Sequence, residues 1–438
     1  MKINKFQIIV IGIFVICLIA GVAAFALYKG SSSSTTIPPV TIWGTFPENI
    51  FDQYVAKINN NLPQSITVEY VQKNPDSFSQ EFIAALARGT GPDGLLVPVD
   101  MILPHFDKLS MIPFSALTQR TFLDSYIEQA KIYLYSNGIL ALPFTVDPLV
   151  MYWNKDMFNA VGVATYPKYW DEFTGLNKKL TVKDQNGNIR KSAIALGDFS
   201  NVSNAREILG TLIMQLGNPI TASDKDGFIV STIKSDYAIS PIPAINFFTQ
   251  FVDPSNENYS WNRGMPNSKS AFLSGGLATY FGFASELADI RAKNPNLNFD
   301  VASFPQLRRS PAEIGKATPA VYAKMNGFSI VRSSAVPNAV YQIMSILTDP
   351  ANLNPLNQSL YLPTVRRDVI AQGSSDPYIS IFNQAALIAR SWLDADAAKS
   401  HAIFADMIKS LTSGSKTIYQ AVQDAGDEYD VVLRQAVQ

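Results

Sequence analysis

From residue 40 onward, short apolar runs of strand length alternate with stretches in which apolar residues recur every three to four positions. Val40-Thr41-Ile42-Trp43 is a strand ending at Gly44, and Pro47-Glu48 opens a helix with Ile50, Phe51, Tyr54, Val55 and Ile58 on one face. Ile66 to Val71 alternates in period two, Ser77 to Arg88 places Phe78, Phe82 and Leu86 inward before a stop at Gly89, and Gly94 to Val97 is a buried-type strand. This β-α-β-α-β order predicts a parallel sheet with ligand-facing loops at the strand C-terminal ends. Asn137-Gly138 inside an apolar run predicts a hairpin, followed by a strand from Leu149 to Trp153. Asp184 to Asn188 has the acidic look of a calcium loop, but it lacks the closing Glu and reads as a turn. Strands are expected at Ala278–Phe281, Phe299–Phe304 and Gly327–Val331. Helices are expected over 268–273, 285–292, 339–347, 385–392, 402–411 and 418–436.

The N-terminal pattern differs. Phe6 to Tyr28 is apolar except for Gln7, about 34 Å of helix at ~1.5 Å per residue, which is enough to span a bilayer. Lys2 and Lys5 precede it and favour a cytoplasmic N-terminus. Ala24-Phe25-Ala26 offers an alternative, cleavage after Ala26. Lipidation at Cys17 is disfavoured because Ile16 precedes it. We expect residues 1–29 to be a single-pass membrane anchor and 30–39 a Ser/Thr/Pro linker, with the globular part on the extracytoplasmic side.

Composition removes many chemistries. The 35 basic and 36 acidic residues nearly balance, so no basic field exists to hold nucleic acid. Taking Lys2, Lys5 and Lys29 from the 35 leaves 32 basic residues against 36 acidic ones beyond the apolar segment. With one cysteine, internal disulfides and CxxC zinc or redox motifs are excluded. The only histidines, His105 and His401, lack partners at metal-ligand spacing, so neither a metal site nor a cofactor is expected. HExxH, GxSxG and GxxxxGK[ST] are all absent.

Several segments together resemble extracellular solute-binding protein family 1, the sugar-binding receptors of ABC importers, which includes maltose-binding protein. Val40-Thr41-Ile42-Trp43-Gly44 is similar to its opening strand. Ala87-Arg88-Gly89-Thr90-Gly91-Pro92-Asp93 is similar to its helix-Gly-Thr-x-Pro-Asp segment. Asn137 to Asp147, Met151 to Asp156 and Tyr166 to Phe173 follow the family's central signature, and Ala271 to Ala278 and Phe328 to Ser334 resemble later segments. The chain departs at Phe283-Ala284-Ser285, where Trp is usual, and at Tyr322 to Gly327.

The resemblance implies an α/β, two-lobed periplasmic-binding-protein type II fold with hinge crossings, preceded by the N-terminal transmembrane helix. Lobe 1 is expected from 40–146 and 304–331, and lobe 2 from 147–303 and 332–438, each with its own sheet. The implied function is binding of a sugar or oligosaccharide between the lobes and delivery to an ABC permease, by a monomer. Sugar sites combine flat aromatic faces with a few polar groups. Candidate ligand-binding residues are therefore Trp43, Asp147, Trp261, Phe281, Phe283, Met325, Asn326 and Trp392. For each, packing is the competing role, and for Asp147 it is hinge hydrogen bonding. Met325 and Asn326 read as loop residues before a crossing strand. Two other functions stay open: a ligand-binding sensor, or a glycan hydrolase using carboxylates such as Asp394/Asp396 or Glu286/Asp289.

Overall fold

The computed structural model describes residues 37–308 and 319–435. The expected anchor and most of the linker lie outside them. Among the described residues, no helix is long and apolar enough to cross a membrane.

The first strand, Val40–Gly44, pairs in parallel with Val68–Gln72 on one side and with Gly94–Pro98 on the other, as the alternating pattern predicts. Helix Glu48–Asn59 buries Phe51, Tyr54, Val55 and Ile58, the expected face, and Phe78–Ala87 buries Phe78, Phe82 and Ala85. The Asn137-Gly138 hairpin is present, though each arm is only two residues long. Asp184 forms a turn, its Oδ1 accepting from the backbone N–H groups of Asn186 and Asn188.

Two long strands join the halves of the molecule. Leu142–Asn154 runs antiparallel to Val321–Val331, and both continue from one hydrophobic core into the other. Along the first, residues up to Val146 belong to the first core and residues from Leu149 to the second. Along the second, Val321 and Tyr322 belong to the second core and Ala323 onward to the first. The strand order Val68–Gln72, Val40–Gly44, Gly94–Pro98, Val321–Val331, Leu142–Asn154, Leu277–Phe283, Ile189–Ile194 is therefore hydrogen-bonded throughout. Separate sheets were expected. The pairing is continuous because the crossings are themselves strands, while the two cores remain distinct.

The lobe boundaries differ from the expectation in two places. Phe304 and Ala320 pack in the second core, so the return to the first lobe comes only at Ala323. Helices Pro337–Leu347 and Pro350–Ser359 pack in the first core, although everything after 332 was expected in the second. The reason is local. Ile330 pairs with Gly94 in the first lobe, and the short link after Val331 turns helix Pro337–Leu347 back onto the same sheet. A Cβ at Gly94 would lie 3.1 Å from Val340 Cγ1, which measures how closely that helix approaches. A helix was expected over 385–392. Instead, helix Pro377–Leu387 ends earlier and Ala389–Arg390 adds a short strand beside Val321 and Tyr322.

Candidate functional site: the interlobe cleft

A cleft of about 340 Å³ opens where the crossing strands meet both lobes. Its first-lobe wall is built from strand ends. Thr45 follows Val40–Gly44, and Val99, Asp100 and Met101 follow Gly94–Pro98. Both strands are parallel, so their C-terminal ends point to the same side, as the rule for open α/β sheets requires. The second-lobe wall is the first turn of helix Ala205–Gln215, carrying Arg206 and Glu207, together with Ser391, Trp392 and Ala397. Tyr322 to Met325 of the second crossing strand line the space between.

The second-lobe wall is held by a buried ion pair. Arg206 is 5% exposed and Asp394 1%, and Arg206 Nη2 donates to Asp394 Oδ2 at 2.5 Å. Burial works against the guanidinium charge, and Asp394 is the main influence that restores it. Ser400 Oγ donates to the same oxygen at 2.6 Å, and Glu207 lies 3.6 Å from Arg206 Nη1. Removing one partner of such a pair leaves an uncompensated charge, a loss of about 3–5 kcal/mol. The guanidinium also lies over the Trp392 ring, 5.0 Å from its centroid, and Tyr322 packs on the same indole at 5.0 Å. Asn204, which precedes the helix, adopts φ 59° and donates from its side chain to the Phe281 carbonyl, fixing where the helix starts.

On the opposite wall, Asp100 is half-buried and its Oδ1 has no hydrogen-bond partner among the described residues. Burial pushes its carboxyl pKa up, opposed by Arg206 and Lys324 and reinforced by Asp394. Lys324 is exposed, with its ammonium 3.9 Å from the centroid of Phe283.

The expected site residues divide. Met325 and Trp392 line the cleft, although Trp392 is only 4% exposed and acts as packed wall rather than an open stacking face. Met325 and Asn326 lie within strand Val321–Val331 rather than a loop, and Asn326 Nδ2 donates to Thr145 Oγ1 on the other crossing strand. Asp147 pairs in register with Lys324. Both its oxygens are taken by Ser285, Oδ1 by the backbone N–H at 3.0 Å and Oδ2 by Oγ at 2.6 Å. Burial lifts its pKa to about 6 against those hydrogen bonds. These hydrogen bonds tie the crossing strand to Ser285, just before helix Glu286–Lys293.

Phe283 is buried beneath Lys324. Phe281 packs against Trp170 and Phe304 in the second core. Trp261 is fully buried there, its indole N–H donating to Asn201 Oδ1 at 2.8 Å. Its polar sequence neighbours gave no hint of this, because the partners come from residues 60 positions away. Trp43 is half-buried and is not among the residues that line the cleft; Lys73 Nζ lies 3.9 Å above its ring and is tied to Glu81 at 3.0 Å.

The carboxylate pairs considered for hydrolysis are otherwise engaged. Glu286 accepts from Lys269, Tyr280 and the Phe283 N–H. Asp394 holds Arg206, and Asp396 caps helix Ala397–Thr412. His105 is buried and meets Ser79 Oγ at 3.1 Å, and His401 packs on Phe199. Sequence reasoning missed Asp100, Arg206 and Glu207, while Tyr322 and Lys324 lie in the departing segment Tyr322 to Gly327 without having been singled out as candidates. The signal available for Asp100 was its place just past a parallel strand. Nothing local marked Arg206 and Glu207.

Two lobes are joined by two crossing strands and enclose a charged cleft, a two-lobed α/β fold. Residues 50–380 match the family described as bacterial extracellular solute-binding protein, and the chain belongs to it. In fold it is similar to the sugar-binding protein MalE from the phytopathogen Xanthomonas citri, at 16% identity over 91% of this chain and 98% of that one, with TM-score 0.72. It is likewise similar to a cyclo/maltodextrin-binding protein complexed with maltotetraose, at 15% identity over 93% and 99%, with TM-score 0.71. A third likeness is to CpMnBP1 with mannotriose bound, at 18% identity over 89% and 99%, with TM-score 0.65.

Proposed function

We propose that this protein is a membrane-tethered extracytoplasmic receptor that captures a sugar or short oligosaccharide in the interlobe cleft and delivers it to an ABC permease. The observation that carries this reading is the cleft itself. Polar groups from both lobes converge on it, Asp100 from one and Arg206 and Glu207 from the other, beside the crossing strands. A ligand that touches both lobes favours the closed arrangement, because only differential affinity shifts a hinge equilibrium. The solved structures of similar fold that carry sugars support the carbohydrate class. The apolar run at 6–28 supports the tether, and the fold family supports the permease partner.

The test uses the chain from residue 37, screened against mono- and oligosaccharides by thermal shift and followed by calorimetry. A bound sugar raises the unfolding temperature through mass action, with affinity in the micromolar range or tighter. No shift with any saccharide ends the carbohydrate reading. Fractionation of the full chain tests the tether: a mature N-terminus at Leu27 would show cleavage instead.

A further inference from the structure

The charge balance of the cleft goes further than the carbohydrate reading on which it rests. Two cations and two carboxylates line the wall: Arg206, Lys324, Asp100 and Glu207. Arg206 is bonded to buried Asp394, while Lys324 makes no salt bridge among the described residues: Asp147, opposite it in the strand register, gives both oxygens to Ser285. Asp100, Glu207 and Asp394 thus outnumber the two cations by one. The excess negative charge falls on Asp100 and Glu207, one on each wall.

Asp100 shows the consequence. One of its oxygens is out of contact with solvent and has no hydrogen-bond partner among the described residues. Its carboxyl pKa is pushed up by burial; Arg206 and Lys324 oppose the rise and Asp394 adds to it. Desolvating a carboxylate is costly, and closure of the lobes on a neutral ligand would deepen that cost. Among the described residues Glu207 pairs with one cation, at 3.6 Å, a guanidinium already engaged at 2.5 Å by Asp394. The two aromatic rings that line this cleft among the described residues, Tyr322 and Trp392, are 8% and 4% exposed, so neither presents an open stacking face.

We infer that the ligand is a small saccharide bearing a protonated amine, whose ammonium is held between Asp100 and Glu207 as the lobes close. Such a group donates up to three hydrogen bonds and supplies the missing positive charge, while the ring hydroxyls are left for Lys324, Ser391 and backbone groups.

The experiment compares three disaccharides that differ in the group carried at C2 of each ring. They are cellobiose, N-acetylated chitobiose and fully deacetylated chitobiose, titrated by calorimetry below the pKa of the free amine. The free-amine sugar should bind at least tenfold more tightly than the other two, and its advantage should fade as pH rises through the amine pKa. In Asp100→Asn and Glu207→Gln the ratio of affinities, amine over N-acetyl, should fall toward one. Thermal unfolding of both variants checks that they fold. Equal affinity for all three sugars in the wild type overturns this inference and leaves the carbohydrate receptor standing. An unchanged ratio in both variants also overturns it. Failure to bind any of the three, or any sugar in the wider screen, removes the carbohydrate reading and this inference with it.

Discussion

His105 and Asp147 have pKa values displaced by the same cause, burial, with opposite consequences for stability. Burial lowers His105 from its ordinary 6.5 to about 4. The unfolded chain therefore takes up a proton there before the native protein does, and stability is lost as pH falls through that window. Asp147 is raised from 3.8 to about 6, so the native protein takes up the proton first. Its contribution is present at low pH and is lost as pH rises through about 6. The groups facing Asp147 are Lys324 from the neighbouring strand and Glu286 from the helix that Ser285 precedes, and the two oppose each other. Where the windows overlap, the two slopes oppose each other. Urea unfolding across that range should separate them. Asp147→Asn exposes the His105 slope, with stability falling as pH drops. His105→Gln exposes the Asp147 slope, with stability falling as pH rises. A wild-type curve that both variants reproduce would disprove the assignment.

At the level of elements, helix Ala205–Gln215 sets the depth of the second-lobe wall. A Cβ at Gly210 would lie 2.7 Å from Cη2 and Cζ3 of Trp392 and 3.2 Å from Ile220 Cδ1. The indole thus packs directly on the helix backbone, and Ile220 behind it holds φ 69°, a strained value for a β-branched residue. Gly210→Ala should therefore overpack the wall and cost roughly 1–3 kcal/mol. Trp392→Phe shortens the ring at that contact, so the double variant should recover part of the loss. Additive losses in urea unfolding would show that the two residues do not meet.

For the whole molecule, two cores joined by two strands predict a hinge. Asp147 and Lys324 lie side by side where the strands pass between cores. Saturating ligand should reduce the radius of gyration measured by small-angle scattering, because lobe closure narrows the cleft. An unchanged radius at saturation would mean that ligand binds without closure.

The local pattern determined most elements. The opening β-α-β-α-β order, the inward faces of the first two helices, the hairpin at Asn137-Gly138 and the turn at Asp184 follow from periodicity and turn chemistry that neighbouring residues impose on one another. The motif resemblance determined the two-lobed class. Tertiary structure decided which aromatic residue is core and which is wall. Trp261 and Trp392 both sit in polar sequence surroundings, and only partners far along the chain, Asn201 for one and Gly210, Arg206 and Tyr322 for the other, bury them. It also decided that Asp147 bonds to Ser285, 138 residues away. The charged cleft was not legible for the same reason. Arg206 carries no local signal and Asp100 only its place past a parallel strand, and with Lys324 and Asp394 they become a site only where strand ends, a helix start and a crossing strand converge.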